Sequence, residues 1–316
     1  QKYHIPTAEY RVFDKPQEVE AYLKEKNEYP TVIKADGLAL GKGVVIAQNE
    51  QEAFDAIASI MEDKIFGESG SKVVIEEFLT GPEVSVLSFT DGKTVKPMVS
   101  SMDHKRALDG DQGLNTGGMG TVAPNPYYTP EIAQQCMDTI FLPTIRAMQE
   151  EGRPFTGCLY FGLMLTPKGP KVIEYNCRFG DPETQVVLPL LDTDLVDIML
   201  AIWNGTLDQL DIQWKDGCAA CVVMASGGYP KKYATGLPIA GLDENGQTAN
   251  CFVYHAGTKL DGDTFLTAGG RVLGVTATAA TLPEALDTAY AGVKTISFQD
   301  AHYRKDIGQR ALKALS

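Results

Sequence analysis

Short apolar runs, interrupted by glycine, proline and charged residues, are the first regular pattern along the chain. The runs 31–34, 44–47 and 73–79 are rich in β-branched residues, which is typical of strands. Between them, Asn49 is followed three residues later by Glu52, the spacing of a helix capping box. This pattern predicts two adjacent strands, a helix that begins at Asn49, and a third strand.

The middle of the chain has the pattern of two hairpins separated by a polar stretch. Residues 83–89 and 94–100 flank an Asp-Gly turn, and residues 157–165 and 171–176 flank a turn that contains proline and glycine. The segment 103–125 between the hairpins is long, polar and rich in glycine. We therefore predict two antiparallel hairpins joined by a long loop.

Helical patterns follow each hairpin, and others alternate with strands near the end of the chain. The predicted helices lie at 129–149, 183–191, 194–204 and 283–296, and further strands are predicted near residues 220, 252 and 272. Hairpins followed by helices favour an α+β fold over a doubly wound parallel sheet. A polar stretch at 208–217 predicts a boundary between a domain at 1–216 and a smaller α+β domain at 217–316.

The composition fits a globular protein of about two domains. The chain has 316 residues, of which 44% are hydrophobic and 22% are charged, and an average domain has about 150 residues. No apolar run approaches the ~20 residues of a membrane-spanning helix, and we see no secretory signal. We therefore expect a cytoplasmic protein whose cysteines are reduced.

The charge balance limits the possible partners. With 28 basic and 41 acidic residues, the net charge is -13, which disfavours nonspecific binding to nucleic acids or anionic membranes. An acidic protein that binds phosphate needs lysine, arginine, backbone N–H groups or a divalent cation close to the phosphate. The candidate sites below follow from that requirement.

Cys218 and Cys221 form a C-x-x-C pair that could belong to a metal or redox site. A structural zinc ion needs four ligands, and no second pair or histidine cluster follows. The surrounding sequence is apolar, so we favour a buried strand.

A glycine-containing loop joins the first two predicted strands. It differs from a P-loop because only three residues separate Gly37 from Gly41, Gly43 stands where serine or threonine is required, and a strand follows. Its glycines still allow backbone N–H groups to approach phosphate oxygens, and Lys34 and Lys42 add positive charge. The alternative is an ordinary hairpin loop without a ligand.

The end of the third predicted strand offers groups that suit a nucleoside. The extended segment 76–79 can present backbone N–H and C=O groups to an adenine edge, and the nearby Glu83 carboxylate can accept hydrogen bonds from ribose hydroxyls. The alternative is a pair of surface acids at the end of a strand.

Glu174 and Asn176 alternate along a predicted strand, so their side chains share one face. Two hard oxygen donors suit Mg²⁺, which usually keeps water and phosphate ligands as well. Arg178, two residues further on, can bind a carboxylate or phosphate through its planar guanidinium group. The alternative is a solvated strand end with a structural arginine.

The predicted loop at 103–125 carries closely spaced basic groups and glycines. Asp103-His104-Lys105-Arg106 lies at its start, and the string Asn-Thr-Gly-Gly-Met-Gly follows at 115–120. Long loops within compact domains are often functional, although a disordered surface loop is an equal alternative. His104 could serve as a general base, but a hydrogen-bonded structural histidine is the favoured interpretation.

Taken together and in order, these segments resemble the ATP-grasp superfamily and, within it, the phosphoribosylamine–glycine ligase family (glycinamide ribonucleotide synthetases). The resemblance spans nearly the whole chain and rests on the segments 4–8, 32–39, 41–43, 75–78, 103–106, 115–120, 176–185, 255–259 and 304–308.

The resemblance implies an ATP-grasp fold with antiparallel subdomains at about 5–82 and 83–216, between which ATP would bind, and a carboxy-terminal α+β domain. It also implies the roles of individual residues. Phosphates would be held by Lys34, Gly41, Lys42 and Gly43, adenosine by Glu76, Glu77, Phe78, Leu79 and Glu83, Mg²⁺ or Mn²⁺ by Glu174 and Asn176, and substrates by Lys105, Thr116, Gly117, Gly118 and Asp181, with Asp103 and Arg178 as catalytic residues.

The implied activity is the ATP-dependent joining of glycine to 5-phosphoribosylamine through glycyl phosphate, in purine biosynthesis, by a monomer. Such ligases usually begin with a further domain of about a hundred residues that carries a Gly-Asn-Gly-Gly-Arg-Glu motif, and this sequence lacks that motif. Two alternatives therefore stay open: another ATP-dependent carboxylate–amine ligase, and an ATP-binding fragment without turnover.

Overall fold

The computed structural model of the chain describes residues 1–37 and 43–316. These residues form two compact units. The smaller unit consists of residues 6–81 and 166–171, and the larger unit of residues 1–5, 82–165 and 172–316.

The smaller unit contains an antiparallel four-stranded sheet of order β1-β4-β2-β3 among its described residues. Its elements are β1 (Tyr10–Phe13), α1 (Pro16–Lys26), β2 (Thr31–Ala35), β3 (Val44–Ala47), α2 (Glu50–Ile57), which continues as a π-helical turn at Ala58–Glu62, and β4 (Val73–Glu77). Its core is a single apolar cluster in which residues of both helices pack with Ile33 and Ile75 of the sheet.

The predicted start of α2 is confirmed in atomic detail. The backbone N–H of Glu52 donates to Asn49 Oδ1 at 3.0 Å, and the Glu52 carboxylate accepts from the backbone N–H of Gln48 at 2.9 Å. Each bond satisfies a backbone donor at or just before the first turn, so this short sequence signal is sufficient to set the boundary.

The third strand ends at Glu77, two residues earlier than predicted. Glu77 is paired with Thr31 at the first position of β2, and the residue before Thr31 is Pro30. Because proline has no N–H group, it cannot extend the ladder of hydrogen bonds. Phe78 and Leu79 therefore leave the sheet.

The larger unit contains two larger sheets and two hairpins. The sheets have the strand orders β14-β17-β13-β10-β7 and β12-β11-β5-β6, and the hairpins are β8-β9 and β15-β16. The strands of these sheets and hairpins, of which β11 and β12 have their adjoining ends in the segment 166–171 of the smaller unit, are β5 (Glu83–Thr90), β6 (Val95–Pro97), β7 (Met102–Asp103), β8 (Arg106–Leu108), β9 (Gln112–Asn115), β10 (Gly120–Ala123), β11 (Gly157–Thr166), β12 (Gly169–Asn176), β13 (Cys218–Ala225), β14 (Phe252–His255), β15 (Thr258–Asp261), β16 (Thr264–Thr267) and β17 (Arg271–Ala279).

The helices of the larger unit lie largely where the sequence predicts them. They are α3 (Pro130–Cys136), which a π-helical turn at Met137–Phe141 joins to α4 (Leu142–Glu150), then α5 (Thr184–Val187), α6 (Leu195–Asn204), α7 (Leu282–Thr295) and α8 (Gln309–Leu315). None of the helices within residues 1–37 and 43–316 is long and apolar enough to cross a membrane.

The prediction of one long loop at 103–125 is wrong. Most of this segment forms the short strands β7 to β10, and every residue of β10 is buried between β7 and β13. The sequence pattern did not reveal these strands, because an apolar run of three or four residues interrupted by glycines is too short to show alternating polar and apolar positions.

The five-stranded sheet combines strands from both sides of residue 217. β7 and β10 precede that residue, whereas β13, β14 and β17 follow it. The domain boundary that we predict after residue 216 remains a prediction. The interpretation of the C-x-x-C pair as part of a strand is confirmed, because Cys218 and Cys221 lie in β13 with free thiols.

Candidate functional site

Lys34 of the smaller unit is paired with a carboxylate on the same face of the sheet. Val32 lies opposite Glu76 where β2 pairs with β4. Lys34, two residues further along β2, is therefore the diagonal neighbour of Glu76. The Lys34 Nζ atom lies 2.7 Å from Glu76 Oε2, and both side chains are half-buried. The strand therefore holds the ammonium group of the predicted phosphate ligand in a defined position.

Glu77 occupies the opposite face and is also paired. Its carboxylate contacts the ammonium group of Lys171 and accepts a hydrogen bond from the backbone N–H of Glu9 at 3.1 Å. Although burial raises the pKa of Glu77, the hydrogen bonds from Lys171 and Glu9 lower it below its ordinary value. This carboxylate therefore ties three segments of the smaller unit together.

The remaining predicted nucleotide ligands of this unit follow the strand or lie in the glycine loop. Phe78 is exposed, Leu79 is half-buried, and Gly43 is buried. Gly41 and Lys42 lie outside the described residues.

In the larger unit, three predicted ligands come together in what we call the carboxylate–lysine cluster: Glu83, Lys105 and Glu174. The Lys105 Nζ atom lies 3.3 Å from Glu83 Oε2 and 3.8 Å from Glu174 Oε1. Burial lowers the pKa of Lys105, but the two carboxylates outweigh this effect and hold it above its ordinary value. A permanently charged ammonium group therefore lies beside the predicted metal ligand.

Glu174 and Asn176 lie on one face at the end of β12, as predicted from their spacing. A Cβ atom added to Gly162 of β11 would lie only 2.9 Å from Glu174 Cγ, so this glycine makes room for the Glu174 side chain. Two oxygen ligands fit Mg²⁺ that also keeps phosphate and water ligands. Among residues 1–37 and 43–316, no group of three or more His, Cys, Asp or Glu side chains is arranged to hold a metal.

Asp103 and Glu183 form a pair of carboxyl groups that interact electrostatically. Loss of hydration raises the pKa of Asp103 well above its ordinary value, and the charge of Glu183 adds to this effect. Burial also raises the pKa of Glu183, which is only 4% exposed. Its carboxylate accepts a hydrogen bond from Ser85 Oγ at 3.3 Å. Glu183 was not predicted as a site residue, although it lies within the 176–185 motif.

The loop at 116–118 is held by hydrogen bonds. Thr116 Oγ1 donates to the carbonyl oxygen of Lys105 at 2.8 Å and accepts from the backbone N–H of Gly118 at 3.0 Å. The backbone N–H of Gly117 donates to the Tyr229 hydroxyl at 3.1 Å. These backbone donors therefore have partners within the chain, and the loop has a defined shape.

Asp181 and Arg178, also predicted site residues, differ in their surroundings. The Asp181 carboxylate accepts from Gln185 Nε2 at 2.8 Å and from Arg271 Nη2 at 3.0 Å. Arg178 is exposed, and its guanidinium donates to the carbonyl oxygen of Phe179 at 2.8 Å. Arg271 is a residue that the sequence analysis missed.

His104 has the structural role that we favoured. Its Nδ1 atom lies 3.1 Å from the carbonyl oxygen of Gly120, and its Nε2 atom accepts from the backbone N–H of Gly308 at 3.1 Å. Burial, with the nearby charges of Arg310 and Arg304, lowers the pKa of His104 to about 4. The ring is neutral at pH 7, and both of its nitrogens are occupied.

Comparison with known proteins supports the resemblance. Two family models match: the phosphoribosylglycinamide synthetase ATP-grasp (A) domain at residues 1–184 and the C domain of the same synthetase at residues 219–310. The phosphoribosylamine–glycine ligase of Clostridium acetobutylicum is 51% identical over 308 residues, which cover 98% of this chain and 73% of that protein.

Solved structures agree with these matches. The crystal structure of the Thermotoga maritima phosphoribosylamine–glycine ligase superposes with a TM-score of 0.88 at 35% identity, over 97% of this chain and 75% of that chain. The biotin carboxylase domain of Hydrogenobacter thermophilus 2-oxoglutarate carboxylase, solved with MgADP, has a TM-score of 0.71 at 18% identity, over 96% of this chain and 65% of that chain. The second likeness concerns the fold alone.

The predicted α+β architecture with an ATP-grasp fold is confirmed by these neighbours and by the antiparallel sheets of both units. The segments that carried the resemblance lie almost entirely within the two matched domains. The chain belongs to the phosphoribosylglycinamide synthetase family, with the ATP-grasp and C domains of that family.

Proposed function

We propose that the chain ligates glycine to 5-phosphoribosylamine with ATP, giving glycinamide ribonucleotide, ADP and phosphate, in de novo purine biosynthesis. The observation that carries this proposal is the 51% identity to a phosphoribosylamine–glycine ligase over 98% of this chain. The carboxylate–lysine cluster supports it, because this chemistry demands positive charge and metal ligands close together.

In the first step, a carboxylate oxygen of glycine attacks the γ-phosphorus of ATP. A new P–O bond forms, and the bond to the oxygen that bridges the β- and γ-phosphates breaks, so that ADP leaves with the electron pair. Because the glycine carboxylate is already ionised, this step needs charge neutralisation and alignment and no general base. Lys34 and Lys105 are the described lysines to which we assign that neutralisation.

In the second step, the amine of phosphoribosylamine attacks the acyl carbon of glycyl phosphate. The nitrogen loses a proton, and phosphate leaves with the electrons of the C–O bond. We assign proton acceptance to Asp103, because its carboxylate lies against Gly118 of the predicted substrate loop and burial raises its pKa above the ordinary value. Arg178 and the loop at 116–118 would position the two substrates.

Glu174 and Asn176 would hold a divalent cation, Mg²⁺ or Mn²⁺. When bound, the cation would neutralise phosphate charge during transfer of the phosphoryl group. The chemistry of the donors fits this role, since one carboxylate and one amide oxygen leave several positions for phosphate and water.

The other predicted ligands complete the proposal. Adenosine would contact Glu76, Glu77, Phe78, Leu79 and Glu83, phosphates would contact Gly41, Lys42 and Gly43, and Asp181 would support the substrates. The side chains of Glu76 and Glu77 already pair with lysines, so we assign adenine recognition to the backbone of this segment. We further propose a monomer that acts in the cytoplasm.

The direct test of the reaction measures release of ADP in the complete mixture and in mixtures from which ATP, glycine or phosphoribosylamine is omitted in turn. The proposal predicts sustained release only when ATP, glycine and phosphoribosylamine are all present. Release with a different amine or carboxylate would favour another ligase. Saturable ATP binding without any product would favour the non-catalytic alternative, and either outcome would contradict the proposal.

The Glu174→Gln variant tests the metal ligand. Replacing the carboxylate with an amide removes a charge that a divalent cation requires, so we expect turnover of ATP to fall at least about 100-fold with the melting temperature unchanged. Glu244→Gln, at an exposed carboxylate, is the matched control and should keep wild-type turnover. Full activity of the Glu174→Gln variant would remove this residue from the site.

A further inference from the structure

Arg271, the first residue of β17, contacts two segments that carry predicted substrate ligands. Its guanidinium donates to the carbonyl oxygen of Gly117 at 2.9 Å and to that of Asp181 at 3.0 Å. It also bonds to both carboxylate oxygens of Asp181, at 3.3 Å and 3.0 Å. One side chain therefore joins the loop at 116–118 to the segment around Asp181.

A Cβ atom added to either glycine of this loop would overlap the neighbouring residues. A Cβ atom on Gly117 would lie 2.9 Å from Arg271 Cζ. A Cβ atom on Gly118, whose φ is +114°, would lie 2.4 Å from Pro182 Cδ and 2.7 Å from Asp103 Oδ1. The loop backbone therefore packs directly on the guanidinium group and against the predicted catalytic carboxylate.

A second residue from the same part of the chain supports the loop. The Tyr229 hydroxyl accepts the hydrogen bond of the Gly117 N–H group at 3.1 Å. The Tyr229 ring also packs against the residue before Arg271, since a Cβ atom added to Gly270 would lie 2.3 Å from ring atom Cδ2. The loop is thus held from both its N–H and its C=O side by residues of the matched C domain.

We propose that Arg271 is a positioning residue of the ligase, which fixes the Gly117–Gly118 backbone and the Asp181 carboxylate where the substrates bind. This inference rests on the proposed function and adds to it a residue of the C domain. The planar fork of arginine is required because the side chain must bond to a carboxylate and to two separate segments at once. Lysine offers the same charge without that geometry.

We expect Arg271 to affect the geometry of the substrate site more than the stability of the fold. The Arg271 side chain is 20% exposed and that of Asp181 is 49% exposed, and such ion pairs contribute little to folding. Misplacement of a binding group by about 1 Å, in contrast, lowers catalysis by about 100-fold. Loss of Arg271 should therefore reduce catalysis far more than it reduces stability.

The test compares Arg271→Gln and Arg271→Lys with the wild-type chain and with Arg153→Gln, an exposed arginine as matched control. The first readout is hydrogen–deuterium exchange of a peptide that covers residues 112–120, which does not require activity. The second is the kcat/KM for glycine and for phosphoribosylamine, beside the KM for ATP. The third is the melting temperature.

The proposal predicts faster exchange at residues 112–120 in both Arg271 variants. It predicts kcat/KM for the two ligated substrates about 100-fold lower in Arg271→Gln and about 10-fold lower in Arg271→Lys, with KM for ATP within about twofold of wild type. The melting temperature should fall by no more than about 2–4 °C, and Arg153→Gln should match the wild-type chain in every readout.

Unchanged exchange at residues 112–120 would overturn the proposal, whatever the kinetics. The proposal would also be overturned if activity fell equally towards all three substrates and the melting temperature fell strongly. Arg271 would then be a structural residue. If the wild-type chain itself released no ADP, the proposed function would fail separately, and exchange alone would decide whether Arg271 fixes this loop.

Discussion

His104 shows how a residue that looks catalytic in the sequence can be structural. It lies between Asp103 and Lys105, two predicted site residues, yet both of its ring nitrogens have backbone partners. These partners, Gly120 and Gly308, lie far from each other along the chain. A neutral imidazole that accepts at one nitrogen and donates at the other is therefore built into the fold.

This burial predicts a measurable dependence of stability on pH. The pKa of His104 falls from its ordinary value near 6.5 to about 4 on folding. Between these values the unfolded chain binds more protons than the folded chain, so stability decreases as the pH falls through this range, by about 3 kcal/mol. Above pH 6.5 His104 contributes no such dependence.

The measurement is denaturant unfolding between pH 7 and pH 4. We expect the loss of unfolding free energy over this range to be about 3 kcal/mol smaller in His104→Gln than in the wild-type chain. His4→Gln, at an exposed histidine, should keep the wild-type dependence. An identical pH dependence in His104→Gln would contradict the neutral, buried state of this ring.

At the scale of single residues, the sequence predicted those site residues whose role depends on local spacing. The separation of two positions between Glu174 and Asn176 is sufficient to place both on one face of a strand. The positions of Arg271 and Glu183 depend instead on contacts with residues far away in the sequence. The contacts of Arg271 span 90 and 154 residues of chain, a separation that no periodic pattern records.

At the scale of elements, the packing of β11 and β12 determines where the predicted metal ligand lies. Gly162 gives the Glu174 side chain the space that a larger residue would fill. The alternation of β12 predicted which residues share a face, but nothing in the sequence indicated that a glycine on the neighbouring strand was needed. Short strands such as β7 and β10 were missed for the related reason that their pairing is not local.

The variant Gly162→Ala tests this role of the neighbouring strand. The added methyl group would lie 2.9 Å from Glu174 Cγ and would displace the carboxylate. We expect the Mg²⁺ concentration for half-maximal turnover to rise about 10-fold, as when a group that supports a metal ligand is changed. The measurement is ADP release as a function of Mg²⁺ concentration at saturating substrates.

A double variant provides the control for that experiment. If Gly162→Ala acts through Glu174, adding it to Glu174→Gln should lower the residual turnover no further. A further loss in the double variant, or an unchanged Mg²⁺ dependence in the single variant, would show that Gly162 does not act through this carboxylate.

At the scale of the whole molecule, two lysines of this acidic chain lie next to predicted ligands. The net charge is -13, yet Lys34 and Lys105 each contact carboxylates on strands that also carry predicted ligands. The family could be predicted from sequence because several motifs occur together and in order. The place of residues 166–171 in the smaller unit could not be predicted, because the other residues of that unit end at Gly81 and nothing local to 166–171 indicates the contact.

The most direct test of the central claim follows the oxygen atoms of glycine. In a reaction with ATP, phosphoribosylamine and glycine labelled with ¹⁸O in its carboxylate, we predict that the released phosphate carries one labelled oxygen, because that oxygen bridges carbon and phosphorus in glycyl phosphate. Phosphate without label, or formation of ADP without glycine, would contradict the account.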